Sequence, residues 1–220
     1  MHKATQPDLQ VEPISRFALL ANAIPLLAIA VIVSVATVLT TGAVGWTATF
    51  VALLYVLPPV TARIVMALFG KPQGRDLRQD STAFKVWWVL LQLQMPFNRI
   101  PWLEELLRLV PGLYPFWLNL WGAKVNPASF WAPGARSLDR PYLEVAYGSV
   151  IGTEALISGH LSRIEDGRFL VDIAAVSVGS YAVVGARSSI GPGCVIAPGE
   201  TLTALSPLPP YTHFINGKRQ

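Results

Sequence analysis

Side chains able to do chemistry are scarce in this chain: one cysteine, Cys194, and three histidines, His2, His160 and His213, among 220 residues. A single thiol excludes an internal disulfide framework, and no CxxC or HxxxH spacing offers a metal its ligands, so no metal site is expected. Charged residues make up 14% of the sequence and hydrophobic ones 52%, against about a quarter charged in an ordinary soluble domain. Any reaction here must be run by a few polar groups on a largely apolar scaffold.

That scaffold begins with 46 residues, 17 to 62, that include no Asp, Glu, Lys, Arg or His. At about 1.5 Å per residue some 20 apolar residues cross a bilayer core, so the run holds two spans. Residues 17 to 40 read as the first, 41 to 45 as a tight turn, and Trp46 onward as a second span reaching toward Phe69, with Pro58 and Pro59 predicting a kink. Arg63 marks the interface or snorkels to it. Lys3 and Arg16 precede the first span, and Arg63, Lys71, Arg75, Arg78 and Lys85 end or follow the second. The turn has no basic residue. This bias predicts an inner (cytoplasmic) membrane location with both termini in the cytoplasm. The length of the first span and the second that follows at once argue against a cleaved signal peptide. Gly45, Ala48 and Ala52, at four-residue intervals, either bring the helices close or face lipid.

Residues 71 to 121 form an aromatic connector that holds five of the seven tryptophans, a residue that favours the headgroup level. Between Trp102 and Leu109 the apolar positions 102, 103, 106, 107 and 109 fall near one face and Glu104, Glu105 and Arg108 on another, as in a helix lying in the interface plane. Packing beneath the carboxy-terminal part is the competing reading.

Beyond residue 120 a period of six appears: an aliphatic residue, then Gly or another small residue, then a small residue three positions on. Val145, Ile151 and Ile157 share one phase, and Val178, Val184, Ile190 and Ile196 another, with Leu202 continuing it. Neither a helix, with period 3.6, nor a flat strand, with period two, produces this spacing. Short strands joined by tight turns and wound into a prism do, with the aliphatic residue inside and the glycine at the corner. Cys194 occupies a small-residue position and reads as packing. The one large interruption, residues 159 to 172, is expected to project as a loop or hairpin, and it opens with His160. Irregular segments on rigid scaffolds are where reactive groups concentrate.

This repeat resembles the hexapeptide-repeat acyltransferases, and the run from Leu118 to Val125 looks like the family's leucine-rich lead-in to a first coil. Two apolar helices ahead of such a coil further resemble the membrane-bound C-terminal modules of polylysine synthetase. The resemblance implies a left-handed parallel β-helix over residues 122 to 220, preceded by amphipathic helices (71 to 121), a transmembrane helical hairpin (17 to 70) and a cytoplasmic tail (1 to 16). It implies a homotrimer and an acyl group moved from a thioester, acetyl-CoA or another acyl-CoA or a carrier-protein thioester, which serves as co-substrate with no permanently bound cofactor. His160 becomes the general base, as an imidazole of ordinary pKa near 6.5 suits, with Asp172 or Glu165 orienting it. Ser188, Ser189 and Gly191 are the expected pantetheine contacts. The closing segment around Asn216, Gly217 and Lys218 lacks the family's Pro-Ala, and Lys218 meets the CoA phosphates as a point charge or belongs to a solvated tail. The anchor implies a bilayer partner and an envelope glycan, lipid-linked or amine acceptor; no nucleic-acid partner is expected. Aminoacyl transfer to an amine and a non-catalytic membrane scaffold are the alternatives.

Overall fold

A computed structural model describes residues 11–220; His2, Lys3 and most of the expected amino-terminal tail lie outside the described residues. The chain opens with α1 (Arg16–Ala21) and α2 (Ile24–Leu39), followed by α3 (Ala43–Phe69). Ser15 caps α1 by accepting from the Ala18 N–H, and Pro25 opens α2 at a position where a missing N–H costs nothing. Gly42, at φ 83°, makes the tight turn into α3. Helix α3 runs on through Pro58 and Pro59. The two segments, residues 16 to 39 and α3, are each long and apolar enough to cross a membrane. Their buried positions include Ile32, Ala36, Leu54 and Ala62, whereas Leu26, Val38, Val44 and Leu68 face outward. Ala48 and Ala52 are also exposed, so the stripe of small residues does not join the helices.

Strand β1 (Gly74–Arg78) leads to α4 (Thr82–Arg99), α5 (Trp102–Arg108) and α6 (Leu113–Leu120). Trp87, Trp117 and Trp121 are buried. The expected single apolar face of residues 102 to 109 is divided: Leu103 and Leu107 point inward while Trp102, Leu106 and Leu109 are exposed. Glu104 turns inward as well, at 4% exposure, because Arg140 from the β-rich half reaches it with its guanidinium and the Tyr114 hydroxyl donates to its other oxygen at 2.6 Å. A buried carboxylate is tolerable only with such partners.

The remaining chain winds in coils of three short strands. The first coil holds β2 (Lys124–Val125), β3 (Phe130–Trp131) and β4 (Arg136–Ser137), and a 3-10 turn (Arg140–Tyr142) leads out of it. The second holds β5 (Leu143–Val145), β6 (Val150–Ile151) and β7 (Leu156–Ile157). A hairpin of β8 (His160–Glu165) and β9 (Arg168–Ile173) interrupts the winding, as the change of phase predicts. The third coil is β10 (Val176–Val178), β11 (Val183–Val184) and β12 (Ser189–Ile190); the fourth is β13 (Val195–Ile196), β14 (Thr201–Leu202) and β15 (Pro207–Leu208). Last come β16 (His213–Ile215) and β17 (Lys218–Arg219), which folds back antiparallel on β16.

Each strand pairs in parallel with its counterpart one coil away, giving three ladders, β2-β5-β10-β13-β16, β3-β6-β11-β14 and β4-β7-β12-β15. This is a β-helix-like fold. In register, Val145 lies on Val178 and Val178 on Ile196, and these aliphatic positions are at most 2% exposed. The glycine of the repeat serves close approach. A Cβ on Gly185 would stand 2.4 Å from the Ala204 nitrogen and one on Gly152 2.5 Å from the Val184 oxygen. The left-handed corner residue lies two positions beyond that glycine, where Glu154, Tyr181 and Arg187 adopt φ of 55 to 58°. Cys194 is fully buried, and burial pushes its thiol above the ordinary value.

Candidate active site

His160 is the first residue of β8, at the exit from the second coil. Its Nδ1 lies 2.6 Å from Oδ2 of Asp139, a carboxylate only 1% exposed, just before the 3-10 turn. The Gly159 N–H donates to the same oxygen at 2.9 Å, and the Trp87 indole N–H donates to Oδ1 at 3.3 Å. The Trp87 ring also packs on the imidazole, with centroids 4.9 Å apart. Gly159 is required where it stands: a Cβ there would meet Tyr142 Cβ at 2.7 Å and Asp139 Cβ at 3.0 Å, forcing histidine and carboxylate apart.

Two polar clamps fix the pair from behind. The Arg140 N–H donates to the Gln94 side chain at 2.7 Å, and the Arg140 guanidinium bonds Glu104 and, at 2.9 Å, Asn98, tying the Asp139 segment to α4 and α5. A second core of Ala18, Phe84, Trp87, Leu91, Tyr142, Val171 and Ile173 joins α1 and α4 to the hairpin. In it the Trp88 indole donates to the Ala18 carbonyl and Asn22, both at 3.2 Å. Burial presses the His160 imidazolium down, but the Asp139 charge and hydrogen bond outweigh it and hold the pKa above the usual histidine value. With Nδ1 committed to Asp139, Nε2 is the nitrogen left to exchange a proton with a substrate.

The imidazole lines a groove of about 400 Å³ bordered by Ser158, Ser189, Gly191, Pro192 and Pro209. Of the residues expected to meet a thioester donor, Ser189 and Gly191 are therefore beside His160. Ser188 is not: it is 1% exposed and its hydroxyl donates inward to the Thr203 carbonyl at 3.1 Å. Asn216 and Gly217 use their N–H groups on the Glu200 carboxylate at 2.7 and 3.0 Å, and Lys218 sits exposed on β17; none of the three lines the groove. His213 is on β16, exposed.

The orienting carboxylate is a correction to the sequence reading. His160 pairs with Ile173 across the hairpin and Leu161 with Asp172, so strand alternation puts Asp172 on the opposite face from the imidazole. There it accepts from the Asp76 N–H at 2.8 Å and pairs with Arg163 at 2.8 Å. Glu165, five residues along β8, accepts from the same arginine at 3.1 Å. Both brace the hairpin; Asp139 holds the histidine. The missed signal is the slip in the sixfold spacing between Ser137 and Val145, whose extra residues include Asp139. Nothing local marks Trp87.

No protein-family model matches the chain, and no curated protein does. Among solved structures, serine acetyltransferase from Neisseria gonorrhoeae in complex with serine is 14% identical, covering 98% of this chain and 100% of its own, with a TM-score of 0.27. Serine acetyltransferase isoform 3 from Entamoeba histolytica is 12% identical over 90% of this chain and 80% of its own, TM-score 0.24. A maltose O-acetyltransferase from Clostridium difficile 630 is 14% identical over 73% of this chain and 82% of its own, also at 0.24. These scores carry no residue correspondence, and the site rests on its own geometry.

Proposed function

We propose that the chain is a membrane-anchored acyltransferase. The observation that carries the reading is the buried Asp139 bonded to His160 on the wall of a groove it shares with Ser189 and Gly191. His160 Nε2 takes the proton from an acceptor hydroxyl or amine as that group attacks the thioester carbonyl. The C–S bond then breaks, and the proton on His160 passes to the departing thiolate, restoring the neutral base. Asp139 fixes the tautomer and stabilises the imidazolium that forms between the two steps. The donor is an acyl-CoA, probed most simply as acetyl-CoA, lying along Ser189 and Gly191. The winding is left-handed, and a homotrimer closes the open side of the groove.

The outward apolar surfaces of α2 and α3 support their placement as a transmembrane hairpin, since that much exposed aliphatic surface is unfavourable in water. The β-rich half then lies in the cytoplasm at the inner membrane, with Trp102 and Leu106 on α5 and Leu109 just past its end facing the interface. The acceptor in this arrangement is borne at the bilayer, a lipid-linked or envelope glycan. Purified protein in detergent, given acetyl-CoA and a panel of hydroxyl and amine acceptors, should release free thiol. His160→Ala should lower that rate by roughly two to four orders of magnitude with unchanged circular dichroism; an unaltered rate would refute the role of His160. Release from an aminoacyl carrier protein alone would favour aminoacyl transfer, and no release from any donor a scaffold.

A further inference from the structure

Where α3 ends, a second groove of about 510 Å³ opens, bounded by Arg63, Ile64, Met66 and Ala67, by Lys71 just past the helix, and by Gly122 ahead of β2. Arg63 is exposed and lies against the Gly122 backbone, where a Cβ would stand 3.2 Å from its Nη1. Lys71 sits across from it, its Nζ donating to the Pro141 carbonyl at 2.7 Å and lying 4.9 Å from the Tyr142 ring centroid. Among the described residues neither cation has a carboxylate within 4.0 Å. Glu144, the acid acting on Lys71, bonds Lys124 at 2.9 Å. Burial lowers the pKa of Lys71; Glu144 opposes this, and Lys124 and Arg63 add to it. Arg63 and Lys71 thus repel one another across a groove that supplies no anion of its own.

We propose that this groove seats the phosphate headgroup of an anionic phospholipid between Arg63 and Lys71, with an acyl chain running toward the bilayer core along Ile64, Val60 and Val56. The proposal rests on the reading of α2 and α3 as a transmembrane hairpin. In that frame Arg63 lies six residues, about 9 Å, on the bilayer side of the last residue of α3, at about 1.5 Å per residue, so its long side chain can reach the headgroup level. A planar guanidinium binds phosphate through two N–H groups, and basic pockets at the cytoplasmic ends of membrane helices take anionic headgroups. The apolar wall continuous with the outer face of α3, where Ile64, Val60 and Val56 are exposed, selects a lipid over free phosphate.

Native mass spectrometry of the full chain, released from detergent carrying equal phosphatidylglycerol and phosphatidylcholine, tests this. The wild type should retain phosphatidylglycerol preferentially, and Arg63→Gln should reduce the preference about fivefold at unchanged thermal stability. Arg99→Gln, an exposed cation on α4, should leave it in place. A preference that survives Arg63→Gln, that falls equally in Arg99→Gln, or that millimolar inorganic phosphate abolishes would overturn the proposal. Alkaline carbonate extraction of membranes reports the spanning reading separately: loss of the chain from the pellet sinks the hairpin, whereas retention with an insensitive lipid preference sinks only the groove.

Discussion

Nδ1 of His160 lies 2.6 Å from Oδ2 of Asp139 although 21 residues separate them along the chain. The contact exists because the second coil returns the chain over the break that follows the first, and because Gly159 has no Cβ to hold the two apart. A carboxylate with three side-chain partners, His160, Trp87 and the Ser158 hydroxyl at 3.4 Å, and one backbone donor is held from several sides. This relationship makes the site testable one bond at a time.

Asp139→Asn removes the charge that raises the His160 pKa and leaves at most a neutral hydrogen bond to set against burial, which lowers it. The acid limb of the pH profile for the proposed acyl transfer should therefore move to lower pH, while the plateau falls by roughly two to four orders of magnitude as the imidazole loses the carboxylate that fixes its tautomer. The sign for stability is the reverse. A raised histidine pKa contributes stability that is full below the unfolded value of about 6.5 and is lost as pH rises through the folded value. The deficit of Asp139→Asn should thus be greatest in mildly acidic buffer and shrink toward alkaline pH in thermal melts. A deficit that grows with pH would contradict the pairing.

Trp87→Phe keeps an aromatic ring against His160 but deletes the donor to Asp139 Oδ1. Leaving that buried oxygen without its partner should cost about 1.5–3 kcal/mol in stability. With its charge less satisfied, the carboxylate should hold the imidazolium more strongly, so the His160 titration followed by NMR should move upward. A titration that superposes on the wild type would reduce Trp87 to packing alone.

Arg140→Met strips the guanidinium from Glu104, leaving a buried carboxylate with Tyr114 and the more distant Arg108 at 3.5 Å. Breaking such a pair should destabilise by about 3 to 5 kcal/mol. Arg140→Met combined with Glu104→Gln should recover part of it, since the uncompensated charge is gone. Denaturant melts of the three proteins check the ordering; equal loss in single and double variants would argue against an ion-pair origin.

Gly185→Ala drives a methyl group to within 2.4 Å of the backbone of the next coil, which has no room to yield. The cost should be about 3 kcal/mol, the upper part of the overpacking range. Gly199→Ala, at a left-handed corner with nothing within 4 Å of the new Cβ, should cost about 1 kcal/mol of backbone strain. Melting temperatures that rank the two in the opposite order would contradict the reading of the repeat glycine as a close-approach residue.

Much of the architecture is legible in the sequence because its rules are local. The sixfold recurrence at Val178, Val184 and Ile190 dictates stacking from spacing alone, the charge-free run of residues 17 to 62 dictates two apolar helices, and the shift of phase after Ile157 marks the hairpin that begins at His160. Tertiary structure alone decided which carboxylate serves that histidine. Asp172 is near in sequence but faces away by strand alternation, and Asp139 is concealed where Trp131 and Ser137 break the aliphatic pattern of the first coil. It also turned Glu104 inward and brought Trp87 from α4 to the imidazole. Spacing along a chain determines which side of an element a residue occupies; which charges are stripped of water beside one another depends on how distant elements close, and only packing sets that.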